Sequence, residues 1–213
     1  MNFFRFGLVC LCALFSWVSH AQSYRFQPED LHQLAKESIE HRALEKGNTE
    51  AQLQFLYKAL AARYPDQLNP QPKWLFNQTA GALGQLQILY CSPQEYLIFF
   101  GSTIGTEGHS GRYDMDVHDF MLTGEMWTAL QGELERNTYR PGDAAFLPKG
   151  RAKAYKIPEY GYMLEYGRGN VAKAFGQGVL APAFFLNQDF SSMKTQLMDC
   201  GRMAVKNIFH PAS

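Results

Sequence analysis

The sequence has no excess of charge of either sign, because 20 Lys and Arg residues balance 20 Asp and Glu residues. A chain without a basic surplus has no field to hold a nucleic acid backbone, so we expect no nucleic acid partner. Internal repeats and low-complexity tracts are also lacking, which excludes a repeat protein. What remains is a chain of 213 residues, 46% hydrophobic and 14% aromatic. That composition predicts one globular domain with a sizeable core.

Cysteine pairs at metal-binding or redox spacing are missing too, since none of the four cysteines forms a Cys-x-x-Cys motif. Cys10 and Cys12 lie in the N-terminal leader, whereas Cys91 and Cys200 lie far apart in the rest of the chain. An exported chain could join the last two in a disulfide. Without a spacing that links them, the sequence favours two unconnected buried thiols.

Motifs for a serine nucleophile or a metal are equally scarce. The run Gly108–Gly111 (GHSG) lacks the Gly-x-Ser-x-Gly spacing of a nucleophile elbow, which argues against a serine hydrolase. His109 and His118 are nine residues apart without a His-x-His pair, so no metal site is predicted. The favoured interpretation is structural, with His109 and Arg112 hydrogen-bonding a glycine-rich turn.

The only long apolar run at the N-terminus, Phe6–Val18, follows Arg5. As a helix its 13 residues would reach roughly 20 Å, short of the ~30 Å hydrocarbon core of a bilayer. Ser19 and Ala21 are the small residues that a signal peptidase needs, so we predict a secretory signal over residues 1–21. A short membrane anchor is the alternative. The chain is then exported and membrane-associated, on the periplasmic side in a bacterium or in the endoplasmic reticulum of a eukaryote.

The remaining residues, 22–213, are predicted to form one α+β domain. Helical spacing over residues 28–64 predicts two helices, and short β-rich runs over 74–167 predict a barrel or a double-sheet roll. Residues 171–210 return to helix, with an apolar stripe and interspersed basic residues. Such helices either cap the barrel or lie on a membrane surface.

Two carboxylates fall among apolar residues on predicted strands. By alternation Asp119 shares a face with Val117 and Met121, and Glu165 interrupts an apolar strand. The alternative interpretations are a solvated Asp119 in the opposite register, and a salt bridge from Glu165 to Arg168 or Arg112. If both acids are buried together, they share a proton and can donate it, take it back or stabilise a cation.

At these residues the sequence resembles the family of fungal sterol C8–C7 isomerases and the animal sigma-1 receptor. The motif Gly101–Tyr113 (GSTIGTEGHSGRY) resembles the glycine-rich signature of that family. Met163–Gly169 (MLEYGRG) and Asn187–Phe190 (NQDF) resemble two further blocks, in the same order along the chain. The similarity runs from about residue 24 to residue 209.

The resemblance implies a cupin-like β-barrel with N-terminal helices, a C-terminal pair of amphipathic helices facing the membrane, and a homotrimer. Glu165 matches the acid that meets the ligand's cation, Asp119 its hydrogen-bonded partner and Tyr96 the tyrosine that orients the glutamate. It also implies ligand contacts and a structural motif. The ligand contacts are Tyr96 itself with Ile98, Phe100, Val117, Met126, Leu147 and Ile157, and the structural motif comprises His109, Ser110, Arg112, Tyr113 and Arg168. Leu147 stands where the receptor has a polar histidine, and Met126 replaces an aromatic residue.

The implied activity is isomerisation of a sterol, or a related polycyclic isoprenoid, from the C8=C9 to the C7=C8 double bond without a cofactor. Asp119 and Glu165 would add and remove the proton. The alternative is a receptor-like protein on the same fold that binds a lipid or a cationic amphiphile without catalysis. A metal-dependent cupin enzyme is a third and weaker interpretation.

Overall fold

The computed structural model describes residues 24–79 and 81–209. The predicted leader, residues 1–21, lies outside the described residues. Helices come first, ten strands follow, and helices close the described chain. The α+β fold class predicted from the sequence is confirmed.

Two helices open the fold, namely α1 over Pro28–Leu44 and α2 over Thr49–Arg63. Pro28 stands in the first turn of α1, where its missing N–H costs nothing and its fixed φ favours helix. The N-cap of α2 is Asn48, whose side chain accepts a hydrogen bond from the backbone N of Ala51 at 3.1 Å.

The strands form two antiparallel sheets. The larger has the order β1-β2-β3-β10-β5-β8, and its strands are β1 (Leu75–Thr79), β2 (Ala82–Cys91), β3 (Glu95–Ser102), β5 (Met115–Gly124), β8 (Ala144–Leu147) and β10 (Gly161–Gly169). The smaller has the order β4-β9-β6-β7, with β4 (Thr106–His109), β6 (Met126–Leu130), β7 (Asn137–Tyr139) and β9 (Lys153–Ile157). In the described residues the sheets are two separate ladders rather than a closed barrel, which is the double-sheet roll of the two predicted alternatives.

Three strands, β1, β4 and β7, lie outside the β-rich runs of the sequence, which cover residues 86–90, 96–100, 116–123, 126–130, 144–147, 152–157 and 162–166. They are short, with five, four and three residues, and β4 lies inside the glycine-rich stretch that was interpreted as a turn. Each pairs along the edge of a neighbouring strand, so tertiary pairing rather than local β-propensity determines its conformation.

Side-chain alternation divides the larger sheet into two faces with different partners. Leu97, Phe99, Phe120, Leu122 and Leu164 belong to a core shared with α1 and α2. Their neighbours along the same strands, among them Ile98, Phe100, Val117 and Met163, belong to a second core, which includes Met126 and Ile157 of the smaller sheet. The sheet therefore has helices on one face and the interior of the roll on the other.

The chain just before α1 is fastened to the larger sheet. Glu95 is buried, and its carboxylate accepts the backbone N–H of Arg25 at 2.9 Å and the hydroxyl of Tyr166 at 2.7 Å. The next residue, Phe26, is fully buried and makes edge-on ring contacts with Tyr90 and Tyr166. This cluster holds the segment before α1 against the sheet, next to the turn between β2 and β3.

The C-terminal helices cover one end of the roll. They comprise α3 (Val171–Phe175), two π-helical turns (Gly176–Leu180 and Ala183–Asn187) and α4 (Phe190–Phe209). The Asn207 amide donates to the backbone O of Cys91 at 3.3 Å, close to the end of α4. Among the described residues, no helix is both long and apolar enough to cross a membrane.

A disulfide joins Cys91 of β2 to Cys200 of α4, so the prediction of two unconnected thiols was wrong. The two Cα atoms are 5.1 Å apart, within the range that a disulfide bridges. The packing of α4 on β2 brings the two cysteines together across 109 residues. The local sequence around either cysteine does not indicate that they are in contact.

Candidate functional site

A mostly apolar cavity of about 160 Å³ lies between the two sheets, under the C-terminal helices. In the same measure, one ordered water needs only about 10–15 Å³, so the cavity has room for a ligand much larger than water. Its walls come from both sheets, and Phe175, Val179 and Cys200 close it from the C-terminal side. Most of the lining surface is apolar, as expected of a pocket for a largely apolar ligand, although several polar side chains also reach it.

Asp119 and Glu165 face each other in this cavity. They are register partners across the antiparallel pair β5–β10, and both side chains line the cavity. Side chains directly opposite on paired strands have Cβ atoms about 4.5–5.5 Å apart, so the two carboxyl groups interact strongly. Asp119 is buried, and Glu165 is half-buried with the cavity in front of it.

Tyr96 of β3 orients the glutamate, donating its hydroxyl proton to Glu165 Oε1 at 2.6 Å. The tyrosine ring reaches this position by lying across Gly167 of β10. A Cβ built on Gly167 would stand 2.5 Å from Cζ of Tyr96 and closer still to Cε1. Gly167 therefore makes the room that this hydrogen bond requires.

We expect Gly167→Ala to disturb the site by crowding the Tyr96 ring. Overpacking of this kind costs about 1–3 kcal/mol of unfolding free energy. The shifted ring would lose its hydrogen bond to Glu165, and since that bond lowers the pKa of Glu165, the pKa should rise. Chemical denaturation and carboxyl-carbon NMR measure the two effects.

Gly201→Ala is the matched control for this prediction, because a Cβ at Gly201 of α4 meets no atom within 4 Å. It should leave the pKa of Glu165 unchanged and should not lower the unfolding free energy, because alanine in an open helical position stabilises by up to about 1 kcal/mol. If Gly167→Ala behaved like the control, the proposed role of Gly167 in placing Tyr96 would be wrong.

Lys153 of β9 is the important residue that the sequence analysis missed. Its ammonium group forms a salt bridge with Asp119 Oδ2, and the two side chains are only 9% and 4% exposed. The backbone N of Lys153 donates to Ser110 Oγ at 2.9 Å, which fixes the strand beside the glycine-rich motif. Alternation on β9 could have found it, because Lys153 shares a face with Ile157, a predicted ligand contact.

The pKa of the Glu165 carboxyl group is raised well above its usual value. Burial, and then the negative charge of Asp119, raise the pKa of Glu165 to about 7, although the Tyr96 hydrogen bond and Lys153 act in the opposite direction. A carboxyl group with that pKa exchanges a proton near neutral pH. Burial also raises the pKa of Tyr113 to about 12, so that cavity phenol stays neutral.

The predicted ligand contacts are placed as follows. Six of the seven line the cavity, namely Tyr96, Ile98, Phe100, Val117, Met126 and Leu147. Ile157 is fully buried in the same core but does not line the cavity. Phe175, Val179 and Cys200 were not predicted as lining residues, because only the packing of the C-terminal helices brings them over the site.

The glycine-rich motif lies beside the part of the cavity wall that Lys153 forms, and Ser110 contacts that residue. His109 Nδ1 accepts the backbone N–H of Gly111 at 2.9 Å, and Arg112 Nη1 donates to the backbone O of Gly150 at 2.6 Å. Ser110 and Tyr113 line the cavity. Arg168 does not, and its guanidinium lies over the ring of Tyr24, 5.1 Å from the centroid.

Neither alternative interpretation of the two acids applies. Asp119 is buried rather than solvated, and the ion pair in the cavity joins it to Lys153 rather than joining Glu165 to Arg168 or Arg112. The arrangement can donate one proton, take it back and hold a positive charge between two carboxyl groups. No group of three metal-binding side chains occurs within residues 24–79 and 81–209.

Comparison with known proteins gives a family match over residues 5–211, to the family described as ERG2 and Sigma1 receptor like protein. A C-8 sterol isomerase of Pyricularia oryzae is 35% identical, covering 97% of this chain and 95% of that protein. The C-8 sterol isomerase erg2 of Aspergillus fumigatus is 34% identical over 92% and 82%. Sigma non-opioid intracellular receptor 1 of Danio rerio is 30% identical over 92% and 84%.

Solved structures similar to this chain include small cupin-like proteins. A predicted oxalate decarboxylase of Thermotoga maritima has a TM-score of 0.40 and 13% identity, covering 46% of this chain and 92% of that one. A putative ethanolamine utilization protein of Salmonella typhimurium has a TM-score of 0.39 and 18% identity, covering 49% and 98%.

Proposed function

We propose a function for this chain from one premise: it belongs to the family of ERG2 and sigma-1 receptor-like proteins. The proposed activity is isomerisation of a sterol, or a related polycyclic isoprenoid, from the C8=C9 to the C7=C8 double bond. The reaction needs an acid, a base and a dry apolar cavity, and no cofactor.

The proposed mechanism places the ring system against the apolar lining with C8 and C9 beside the carboxyl pair. Glu165 donates its proton to C9, which leaves a carbocation at C8. The negative charges of Glu165 and Asp119 stabilise that cation in a cavity where little water screens them. A proton from C7 then passes to the carboxyl pair, so the pair again carries one proton, as it did before the reaction.

One observation supports this proposal above the others. Glu165 and Asp119 are register partners facing a mostly apolar cavity, and burial and the neighbouring charge raise the pKa of Glu165 to about 7. Two carboxyl groups in such a place are costly for folding, which makes a purely structural role a poor explanation.

The test is incubation of the purified full chain with a Δ8-sterol, followed by separation of the sterols by gas chromatography and mass spectrometry. We expect conversion to the Δ7-isomer, with one solvent deuterium incorporated at C9 when the reaction runs in D₂O. A binding protein without catalysis would release the sterol unchanged and without deuterium, and that outcome would favour the receptor-like function.

The receptor-like alternative is retained because an anionic Glu165 held by Tyr96 also suits a cationic amphiphile. The sigma receptor of Danio rerio belongs to the same family at 30% identity. Both functions use the same cavity, and protonated amines would bind to either protein as stable analogues of the C8 cation.

Membrane association, export and trimer formation are further parts of the proposal. The C-terminal helices expose large apolar side chains that a lipid surface would cover, namely Phe184, Phe185, Leu186, Phe190, Leu197 and Val205. Flotation with phospholipid vesicles tests the membrane contact, and light scattering of the detergent-free and detergent-bound protein tests the homotrimer.

A further inference from the structure

The two carboxyl groups of the cavity have unequal partners. Asp119 is paired with the ammonium of Lys153, whereas Glu165 receives a neutral hydroxyl donor from Tyr96. A buried lysine is stable only when its charge is balanced, so Lys153 and Asp119 require each other. The proposed reaction uses the two acids but assigns no role to this cation.

Unequal partners determine where a shared proton lies. Two carboxylates in one apolar cavity repel each other, so the pair retains a proton near neutral pH. The carboxyl group that is bonded to a cation keeps its negative charge, and the other takes the proton. The Lys153–Asp119 salt bridge therefore leaves the proton on Glu165.

We propose that Lys153 is a positioning residue that assigns the proton of the pair to Glu165 and keeps the cavity free of net charge while Glu165 is protonated. This proposal rests on the proposed isomerase function and names which acid starts the reaction. A cavity in that state accepts a neutral hydrocarbon skeleton. It favours a cation only after Glu165 has lost its proton, either to the substrate or to solvent.

The other groups around Glu165 fit this assignment. The titratable groups that face it come from four parts of the fold, and they are Tyr96 of β3, Tyr113 before β5, Asp119 of β5, and Lys153 and Tyr155 of β9. Burial raises the pKa of each of the three phenols, so none of them ionises near neutral pH. The titration near pH 7 is therefore that of the carboxyl pair.

The test measures binding of N,N-dimethyldodecylamine to the full chain by calorimetry, with dodecanol as the uncharged matched probe. In the wild type, amine affinity should increase at least about tenfold from about pH 5.5 to about pH 8.5 as Glu165 ionises. Dodecanol affinity should not change. Amine affinity that is constant over this interval would overturn the proposal, and this measurement needs no variant.

Lys153→Met removes the positive charge but keeps an apolar side chain of similar length. At about pH 6.5 the amine should bind at least about tenfold more tightly than to the wild type, because a repelling cation is gone. Loss of structure would weaken binding instead. The pH profile of the isomerisation rate should also change, because the proton of the pair is no longer directed to Glu165. Lys153→Arg retains the charge, so its amine affinity and the pH dependence of its isomerisation rate should match those of the wild type.

Lys156→Met is the matched control, since Lys156 lies on the same strand, points outward and pairs with the exposed Glu107 at 2.8 Å. It should leave amine affinity unchanged. Equal or weaker amine binding by Lys153→Met would overturn the role of Lys153. A wild type that binds amines with the expected pH dependence but converts no sterol would overturn the isomerase function alone.

Discussion

Glu165→Gln should reduce isomerisation by about 10³-fold or more, since general acid–base catalysis of this kind contributes about 10²–10⁴-fold. Glutamine has nearly the same shape and still accepts the hydrogen bond of Tyr96, which the glutamate now receives at 2.6 Å. It has no proton to give to C9 and no negative charge to place beside C8. Steady-state turnover of a Δ8-sterol, with product quantified by mass spectrometry, measures the loss.

The control for this variant is Glu107→Gln, which removes a carboxylate on the exposed face of β4. It should leave turnover unchanged. Sterol binding by Glu165→Gln should persist, because the apolar lining is intact, and equilibrium binding of the product sterol checks this. Substantial turnover by Glu165→Gln would mean that the proton comes from elsewhere, and the assignment of Glu165 would fail.

Loss of the Cys91–Cys200 disulfide should have the largest effect on stability. The bridge closes a loop with a sequence separation of 109, and it attaches α4 to the sheet that carries the site. Removing such a bridge typically costs about 2–5 kcal/mol. For a chain of this length that corresponds to a fall in Tm of roughly 5–15 °C. Thermal unfolding of the Cys91→Ala/Cys200→Ala double variant, followed by circular dichroism, measures it.

Reductant provides the internal control for this prediction. Treating the wild type with a reducing agent should lower Tm towards that of the double variant, and the same treatment should not affect the variant itself. A wild type that titrates as two free thiols under non-reducing conditions, with a Tm insensitive to reductant, would contradict the disulfide.

Alternation along single strands predicted the parts of the site that lie on the larger sheet. Asp119 and Glu165 each stood out as a charge among apolar neighbours, and the structure places them opposite each other in register. Local pattern is sufficient there because each strand has one face towards the cavity and one towards the helices. The family resemblance added Tyr96, which is not conspicuous by pattern alone.

Features that depend on contact between distant segments were missed. Alternation with Ile157 could have placed Lys153 on the inner face of β9, but its role depends on Asp119, which only the folded structure brings next to it. Cys200 meets Cys91 because α4 folds back over β2. Local propensity contains no information on either event, since both are decided by how the sheets and the cover pack.

The turn between β2 and β3 is where both the segment before α1 and the last helix, α4, are attached. Glu95 in this region holds the backbone of Arg25, and Asn207 of the last helix donates to the backbone O of Cys91 beside it. Glu95 directly precedes Tyr96 on β3, and Cys91 is the register partner of Tyr96 across β2 and β3. Loosening either attachment would therefore be transmitted to the hydroxyl that holds Glu165, so substitutions well away from the cavity wall can alter ligand affinity.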